Sequence, residues 1–518
     1  MTTSRPINAP AAQAHPLLRL SLILQIWLVF SVAMLIPAIT AWLLADYVSG
    51  RAFLYAGLAG LLGVGLSALA FGRRGQGRGA LSQLMSLFFA LAILPVFLAV
   101  PVVDALNSTD FLSAYVDMVG AITTTGAQLR SGADAVLPDT VHLWRSLVAW
   151  LGGLIIWVAA SAILAPLSLG GFEITTRGEL GRAVQAPDQS RALAPKQRLL
   201  SHAATLAPLY VGLTVAAAIL LLVVGENGFV AVCHAMAVMS TSGISPVGGV
   251  EQATSGRGGE AILLLFMAFA LSRLTFSADT AQMGNRGLLR DPEFRIGIVI
   301  VLFITTILFA RHWLAALDMG IEENFSIAFS AFWGGLFTAM SFLTTTGFVS
   351  GDWGEIRNWS GLGSPGLILM GLALIGGGVA TTAGGVKLLR VWALYLNGLR
   401  EMERLVHPSA VQPLTRSGTR IQRDGALLAW VAFMLFALSL AGLSVAFAAA
   451  GVGFEDAIIL AISGLSTTGP LIEAASDSRI QLADLGPGAK LLFALAMVVG
   501  RMETLALIAL FIPDLWRN

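Results

Sequence analysis

Four short segments hold the residues most able to handle an ion: Thr123-Thr124-Thr125-Gly126, Ser240-Thr241-Ser242-Gly243, Thr344-Thr345-Thr346-Gly347 and Ser466-Thr467-Thr468-Gly469. Each is three hydroxyl residues followed by glycine. One such tetrad carries little information. Four of them, each after a short semi-apolar stretch and between two long apolar runs, point to four contributions to one site. A cation that sheds its water needs replacement oxygens, and backbone carbonyls with Thr or Ser hydroxyls supply them without a fixed charge that would trap the ion. The candidate ion-binding residues are Thr124, Thr125, Gly126, Thr241, Ser242, Gly243, Thr345, Thr346, Gly347, Thr467, Thr468 and Gly469. Glycine takes positive φ at no steric cost, so neighbouring carbonyls can turn toward a common axis. No Asp or Glu lies within a tetrad, which argues against hard divalent ions. Between Na⁺ and K⁺ these residues alone do not decide.

The segments around the tetrads repeat as well. Twelve residues before each tetrad glycine stand Ala114, Ala231, Gly335 and Ala457, all small; fifteen before stand Phe111, Gly228, Phe332 and Phe454. Each unit reads as apolar helix, short helix, tetrad, apolar helix. The short helix has too few residues to cross a bilayer, so it is expected to enter from one side and stop halfway. Such a segment is tolerated only when buried in protein or lining water. Its C-terminal end carries about half a negative charge, and four such ends aimed at one cavity favour a cation there.

Composition agrees with a lipid setting. The chain has 518 residues, 56% apolar and 12% charged, with mean hydropathy +0.80; soluble domains average about 25% charged. Runs of about 20 apolar residues span a bilayer, and ten are expected, near 19–46, 52–71, 81–103, 141–168, 200–224, 259–282, 294–316, 363–390, 425–450 and 487–513. The resulting division is a disordered lead-in 1–18, an extra helix pair 19–80, repeat 1 over 81–170, a cytoplasmic linker 171–199, repeat 2 over 200–284, repeat 3 over 294–390, a second linker 391–424 and repeat 4 over 425–518. The first apolar run is too long for a signal-peptide core. With the N-terminus inside, twenty Lys and Arg fall on the cytoplasmic side against eight outside, which supports cytoplasmic termini and puts all four tetrads on the outer side. The net charge of +1 makes no case for nucleic-acid binding, and the single Cys233 excludes an internal disulfide.

Below the third tetrad lies a second unusual segment, Gly376-Gly377-Gly378-Val379-Ala380-Thr381-Thr382-Ala383-Gly384-Gly385, in the middle of an apolar run. Each Gly in a helix interior costs about 1 kcal/mol relative to Ala, so the run is expected to break its helix. It serves either close packing through small residues or a flexible intramembrane loop. Lys387 comes directly after it, and either snorkels to the interface or places a positive charge near a pore. Arg501 lies deep in the last apolar run, where a central Arg costs about 2.5–3.5 kcal/mol; its partners are expected among the loop oxygens, such as those of Thr381 and Thr382, while Glu503 sits on another face of the helix. Asp117 and His234 stand nine before their tetrad glycines, a position that Thr338 and Leu460 fill in the other repeats; Asp117 and His234 are expected to anchor the short helices by hydrogen bonds rather than bind ions.

Taken together, the four tetrads, the run 376–387 ending in Lys387, the Arg-Leu-Val-His-Pro run at 404–408 and the Gly-Arg-Met-Glu-Thr run at 500–504 resemble the Trk/Ktr/HKT superfamily of potassium transporters. The extra N-terminal pair is most similar to the bacterial Trk membrane subunit. The resemblance covers residues 18–515. It implies an all-α polytopic membrane protein with four membrane-helix/pore-loop/membrane-helix repeats in pseudo-fourfold symmetry around one pore. It further implies potassium as substrate, selected at the tetrads, and a gate formed by Gly376, Gly377, Gly378, Thr381, Thr382, Gly384, Gly385, Lys387 and Arg501. A homodimer in the bacterial cytoplasmic (inner) membrane is implied, with no cofactor in this chain and a cytosolic Trk-type regulatory subunit that binds ATP, ADP or NAD(H). The second tetrad, Ser-Thr-Ser-Gly, departs from Thr-Thr-Thr-Gly and is the least regular by composition.

Other classes fare worse. An enzyme would need an activated nucleophile or metal cluster, and no Ser-His-Asp arrangement, HExxH or acidic cluster stands in the apolar runs. A carrier for organic solutes would show inverted repeats, whereas these four units run in the same sense. The potassium-binding subunit of an ATP-driven pump, or a Na⁺- or H⁺-coupled cation symporter, remains an alternative.

Overall fold

The fold is built from helices that hydrocarbon solvates on one side and protein on the other. A computed structural model describes residues 20–71, 80–106, 109–128, 137–167, 169, 171, 195–272, 291–318, 325–354, 365–407, 423–475 and 480–503. No strand occurs among the described residues. The lead-in 1–18, most of the linker 171–199, residues 408–422 of the linker 391–424 and everything after 503 lie outside them.

Among the described residues, seven helices are long and apolar enough to cross a membrane: Leu22–Leu43, Tyr47–Ala70, Leu81–Ala105, Asp139–Leu164, Gln197–Val223, Pro292–Arg311 and Gly425–Ala449. The expected runs 259–282, 363–390 and 487–513 are not continuous spans among the described residues. Their helices are Gly256–Met267, Gly366–Ile375 and Pro487–Met502. The middle one stops where the glycine run begins, as the helix cost of glycine requires. The last stops at Glu503, whose φ is 59°. The first gives way to a 3₁₀ turn, Ala268–Leu271, and then extended backbone at Ser272. A backbone N–H bond from Gly378 to the Ala270 carbonyl (3.0 Å) joins the ends of the first and second of these helices.

The short helices are Phe111–Ile122, Gly228–Ser240, Phe325–Leu343 and Phe454–Ser466. Most of their side chains near the tetrads are buried, whereas Val215, Ile219, Val299, Phe303, Leu427 and Leu438 on the first helices of the repeats are exposed. Exposed apolar side chains of this kind suit hydrocarbon rather than water. Burial of the short helices in protein meets the requirement for a segment that stops at membrane depth.

The packing is cyclic. The second helix of repeat 1, Asp139–Ala159, lies against the short helix of repeat 2; Gly256–Met267 lies against that of repeat 3; Gly366–Ile375 against that of repeat 4; and Pro487–Met502 against that of repeat 1. The order closes on itself, which is the pseudo-fourfold arrangement of four like units around one axis. The N-terminal pair covers repeat 1 through edge-on aromatic contacts, Trp27 with Phe97 (5.5 Å between centroids) and Phe53 with Trp144 (5.7 Å).

Repeat 2 is clamped at the turn between Gln197–Val223 and Gly228–Ser240 by Glu226. Its carboxylate accepts from the backbone N–H groups of Asn227 (3.1 Å), Thr254 (3.3 Å) and Ser255 (3.2 Å), and from both hydroxyls of Thr254 and Ser255. Burial raises its pKa, but the hydrogen bonds to the ionised form outweigh that and hold it below the ordinary 4.5. A carboxylate depressed in the folded state stabilises fully above its unfolded pKa, and the contribution disappears as pH falls through the folded one. Thermal unfolding in detergent is therefore expected to show wild type losing stability below about pH 4.5. Glu226→Gln is expected to be less stable at neutral pH and flatter across that window.

Candidate functional site

All four tetrads terminate their short helices by the same backbone device. The second residue of each, Thr124, Thr241, Thr345 and Thr467, is left-handed, with φ of 56°, 52°, 57° and 54°. A β-branched residue there costs about 1–2 kcal/mol, and four in register are retained only because the surroundings hold them. The N–H of the third residue reaches back five positions in every case: Thr125 to Gly120 (2.8 Å), Ser242 to Ala237 (2.9 Å), Thr346 to Ser341 (2.9 Å) and Thr468 to Ser463 (3.0 Å). First and third hydroxyls latch to each other at 2.9 Å (Thr123, Thr125), 3.0 Å (Ser240, Ser242), 3.1 Å (Thr344, Thr346) and 3.1 Å (Ser466, Thr468). Serine performs this latch as well as threonine, so the Ser-Thr-Ser-Gly tetrad keeps its shape.

The twelve candidate residues are all buried and meet in a ring. An added Cβ on Gly126 would overlap the Ser242 carbonyl oxygen of repeat 2, and one on Gly243 the Thr346 carbonyl oxygen of repeat 3. One on Gly469 would lie 2.6 Å from the Thr125 oxygen of repeat 1. Carbonyls of the third layer thus crowd the glycine of the neighbouring repeat, an approach only a residue without Cβ permits. The irregular member is the fourth, not the second as composition suggested. Gly126, Gly243 and Gly347 are left-handed (69°, 64° and 84°) and Gly469 is not. Its N–H instead donates across the seam to Thr125 O of neighbouring repeat 1 at 2.7 Å.

Three of the four residues nine before the glycines tie the short helix to the chain just beyond its tetrad. Asp117 pairs with Arg145 (2.8 Å), which also donates to the Ala127 carbonyl (3.2 Å) just past the first tetrad. His234 Nε2 bonds Ser245 Oγ (2.8 Å), and Thr338 accepts from Ser350 N (3.3 Å). Asp117 and His234 are anchors, as expected, and Thr338 acts as a third. Removing one partner of a buried pair costs about 3–5 kcal/mol. Asp117→Ala, which leaves Arg145 buried with its charge uncompensated, is expected to unfold at clearly lower temperature, whereas Asp117→Ala/Arg145→Met recovers most of the loss.

Glu260 was not singled out by its place in the sequence. It is 3% exposed and accepts from Ser350 Oγ (2.8 Å), Gly351 N (2.8 Å) and Trp333 Nε1 (2.6 Å), locking repeat 2 to the segment of repeat 3 beyond its tetrad. The signal available was an acid inside an apolar run.

The glycine run is a loop directly against the tetrads. Helix Gly366–Ile375 ends at Gly376, and the chain returns so that Val386 N bonds Leu374 O (2.9 Å), Lys387 N bonds Ile375 O (2.9 Å) and Leu388 N bonds Gly377 O (3.0 Å). The nearly constant offset means that 386–388 run alongside 374–377 in the same sense, so 376–385 is an excursion from one interrupted span. Gly384 N donates to the Thr345 hydroxyl (2.8 Å) and packs on Ser466 and Thr467. Thr382 Oγ1 donates to Met239 O (3.2 Å) in front of the second tetrad. Thr381 is turned inward, to Gly378 O (2.8 Å).

Arg501 is 7% exposed and donates from Nη1 to the Thr382 carbonyl (2.6 Å), while its Nε and Nη2 have no hydrogen-bond partner among the described residues. Lys387 does not snorkel: it is buried and donates to the Ala383 carbonyl of the same loop. Glu503 makes its ion pair with neither of them. It pairs with Arg390 (2.7 Å) at the start of helix Leu388–Val406, a contact between repeats 4 and 3 that sequence separation concealed. Among the described residues no group of His, Cys, Asp and Glu could hold a metal ion.

The chain is similar to characterised proteins in sequence and in fold. A family model described as cation transport protein matches residues 262–517. The Trk system potassium uptake protein TrkH of Escherichia coli K12 is 31% identical, over 78% of this chain and 79% of that protein. TrkH of Halomonas elongata is 30% identical over 80% of each. The crystal structure of the potassium transporter TrkH from Vibrio parahaemolyticus aligns with a TM-score of 0.79 at 25% identity, covering 97% of this chain and 100% of that one. Agreement of sequence over four-fifths of the length and of fold over nearly all of it leaves one assignment: this multi-span membrane chain belongs to the TrkH family of cation transport proteins.

Proposed function

We propose that this chain carries potassium into the cell through the ring of four tetrads, as the membrane subunit of a Trk-type uptake system. The observation that carries this reading is the ring itself: four buried, uncharged, carbonyl-rich turns in closed cyclic order, each at the C-terminal end of a short helix. Carbonyls replace the water of a monovalent cation and release it again, and the helix ends add negative potential at the same depth. The membrane potential contributes about 2.3 kcal/mol per 100 mV for one charge, roughly fifty-fold accumulation, so uptake needs no coupled ion.

The loop 376–385, held by Thr345, Met239 and Arg501, is the gate below the ring. Helix Leu388–Val406 continues directly from it and exposes Tyr395, Leu399, Met402 and Leu405. That face gives a cytosolic nucleotide-binding partner a lever on the gate. The protein acts as a homodimer in the inner membrane with both termini cytoplasmic.

The test is flux of K⁺ and Na⁺ in liposomes containing the purified chain, under an imposed voltage and no other gradient, with and without the regulatory partner. Voltage-driven K⁺ flux exceeding Na⁺ flux is expected. Silence at every voltage with the partner present would remove the channel reading, and equal fluxes the selectivity.

A further inference from the structure

The cyclic pattern of the ring is broken at one seam, between repeats 3 and 4. By the pattern of the other seams, the Thr468 carbonyl would face Gly347. Instead that carbonyl accepts from Ser463 Oγ (2.9 Å) and Leu471 N (3.2 Å), and the group against Gly347 is the ring of Pro470, 3.0 Å from an added Cβ. The same ring lies 2.8 Å from an added Cβ on Gly243, across the axis in repeat 2. The residues at this position in the other repeats, Ala127, Ile244 and Phe348, are buried, whereas Pro470 is half-exposed. Directly after the other three tetrads the described residues form no helix; after the fourth the chain turns at once into the short helix Leu471–Ala475. The cause is local. A residue before proline is pushed out of the helical region, while proline itself is preset for a first helical turn.

We propose that Pro470 is a specificity-determining wedge at the outer lip of the ring, an inference that rests on the ring being the cation path. Its pyrrolidine occupies the sector that a fourth carbonyl would fill, and the Gly469 N–H held on Thr125 O keeps that sector from opening. The outermost layer is thereby narrowed on one side, and a smaller, more strongly hydrated cation cannot keep part of its water shell while passing.

Flux of K⁺ and Na⁺ through Pro470→Ala and Pro470→Val in liposomes decides this. Alanine removes the wedge, and the K⁺/Na⁺ flux ratio is expected to fall about tenfold through a gain in Na⁺ flux, a change of about 1.4 kcal/mol in relative barrier. Valine restores comparable bulk without the fixed φ, and its added N–H is free at a first helical position, so it recovers most of the ratio. An unchanged ratio in Pro470→Ala that still carries K⁺ overturns the proposal. So does a ratio equally low in both variants, because the effect then belongs to proline's backbone at the helix start. Wild type that carries no K⁺ under any voltage would instead overturn the underlying pathway reading.

Discussion

Gly126→Ala is expected to lower voltage-driven K⁺ flux at least about a hundredfold, corresponding to some 2.7 kcal/mol. The added methyl would overlap the Ser242 carbonyl oxygen, with the carbonyl carbon only 2.9 Å away, and φ at this residue is +69°. Neither side can retreat cheaply. Ser242 is pinned by its N–H bond to Ala237 and its hydroxyl latch to Ser240, and Gly126 by its N–H bond to Gly120. The strained carbonyl therefore rotates, and the layer loses the geometry that replaces water around a cation. Gly225→Ala is the companion measurement. That residue is also left-handed (φ +97°) but has nothing within 4 Å of the added methyl. It bears only the backbone cost of about 1–2 kcal/mol, and its flux per folded protein stays near wild type. Wild-type flux in Gly126→Ala would mean that the ring is not the path.

Arg501→Ala is expected to raise K⁺ flux in the absence of a partner by about tenfold. The side chain bonds the Thr382 carbonyl at the middle of the loop 376–385, and Thr382 in turn holds Met239 O. Deleting the guanidinium frees the loop on that side and removes a buried positive charge from below the ring. Arg501→Lys separates the two effects. Lysine keeps the charge but not the planar fork, so a variant that restores at least half of the restriction assigns it to charge, and one that behaves as alanine assigns it to bracing. Flux in Arg501→Ala that is unchanged, with partner dependence intact, would remove Arg501 from the gate.

Much of this was legible in the residues because it is local. The tetrads, the short helices before them and the break at Gly376 arise from spacing, helix cost and the length needed to cross a bilayer. The anchoring roles of Asp117 and His234 came from their shared position, whereas that of Thr338 came from the structure. The order of irregularity among the tetrads did not, since composition singles out the serines of 240–243. The hydroxyl latch tolerates serine, while the backbone is disturbed by a proline one residue outside the fourth tetrad. Pro470 was a readable signal, but its consequence depends on Gly243 and Gly347, which only the closed ring brings to it.

By itself the sequence determined a helical, membrane-spanning chain of four like units with an interrupted third unit, because bilayer thickness, backbone satisfaction and glycine's helix cost act over a few residues at a time. Only the tertiary structure decided the cyclic order, the seam at Pro470, the pairing of Arg390 with Glu503 and the clamp of Glu260 on Ser350. Each of these joins residues of different repeats, and which distant groups meet depends on how whole helices pack, not on the spacing within any one of them.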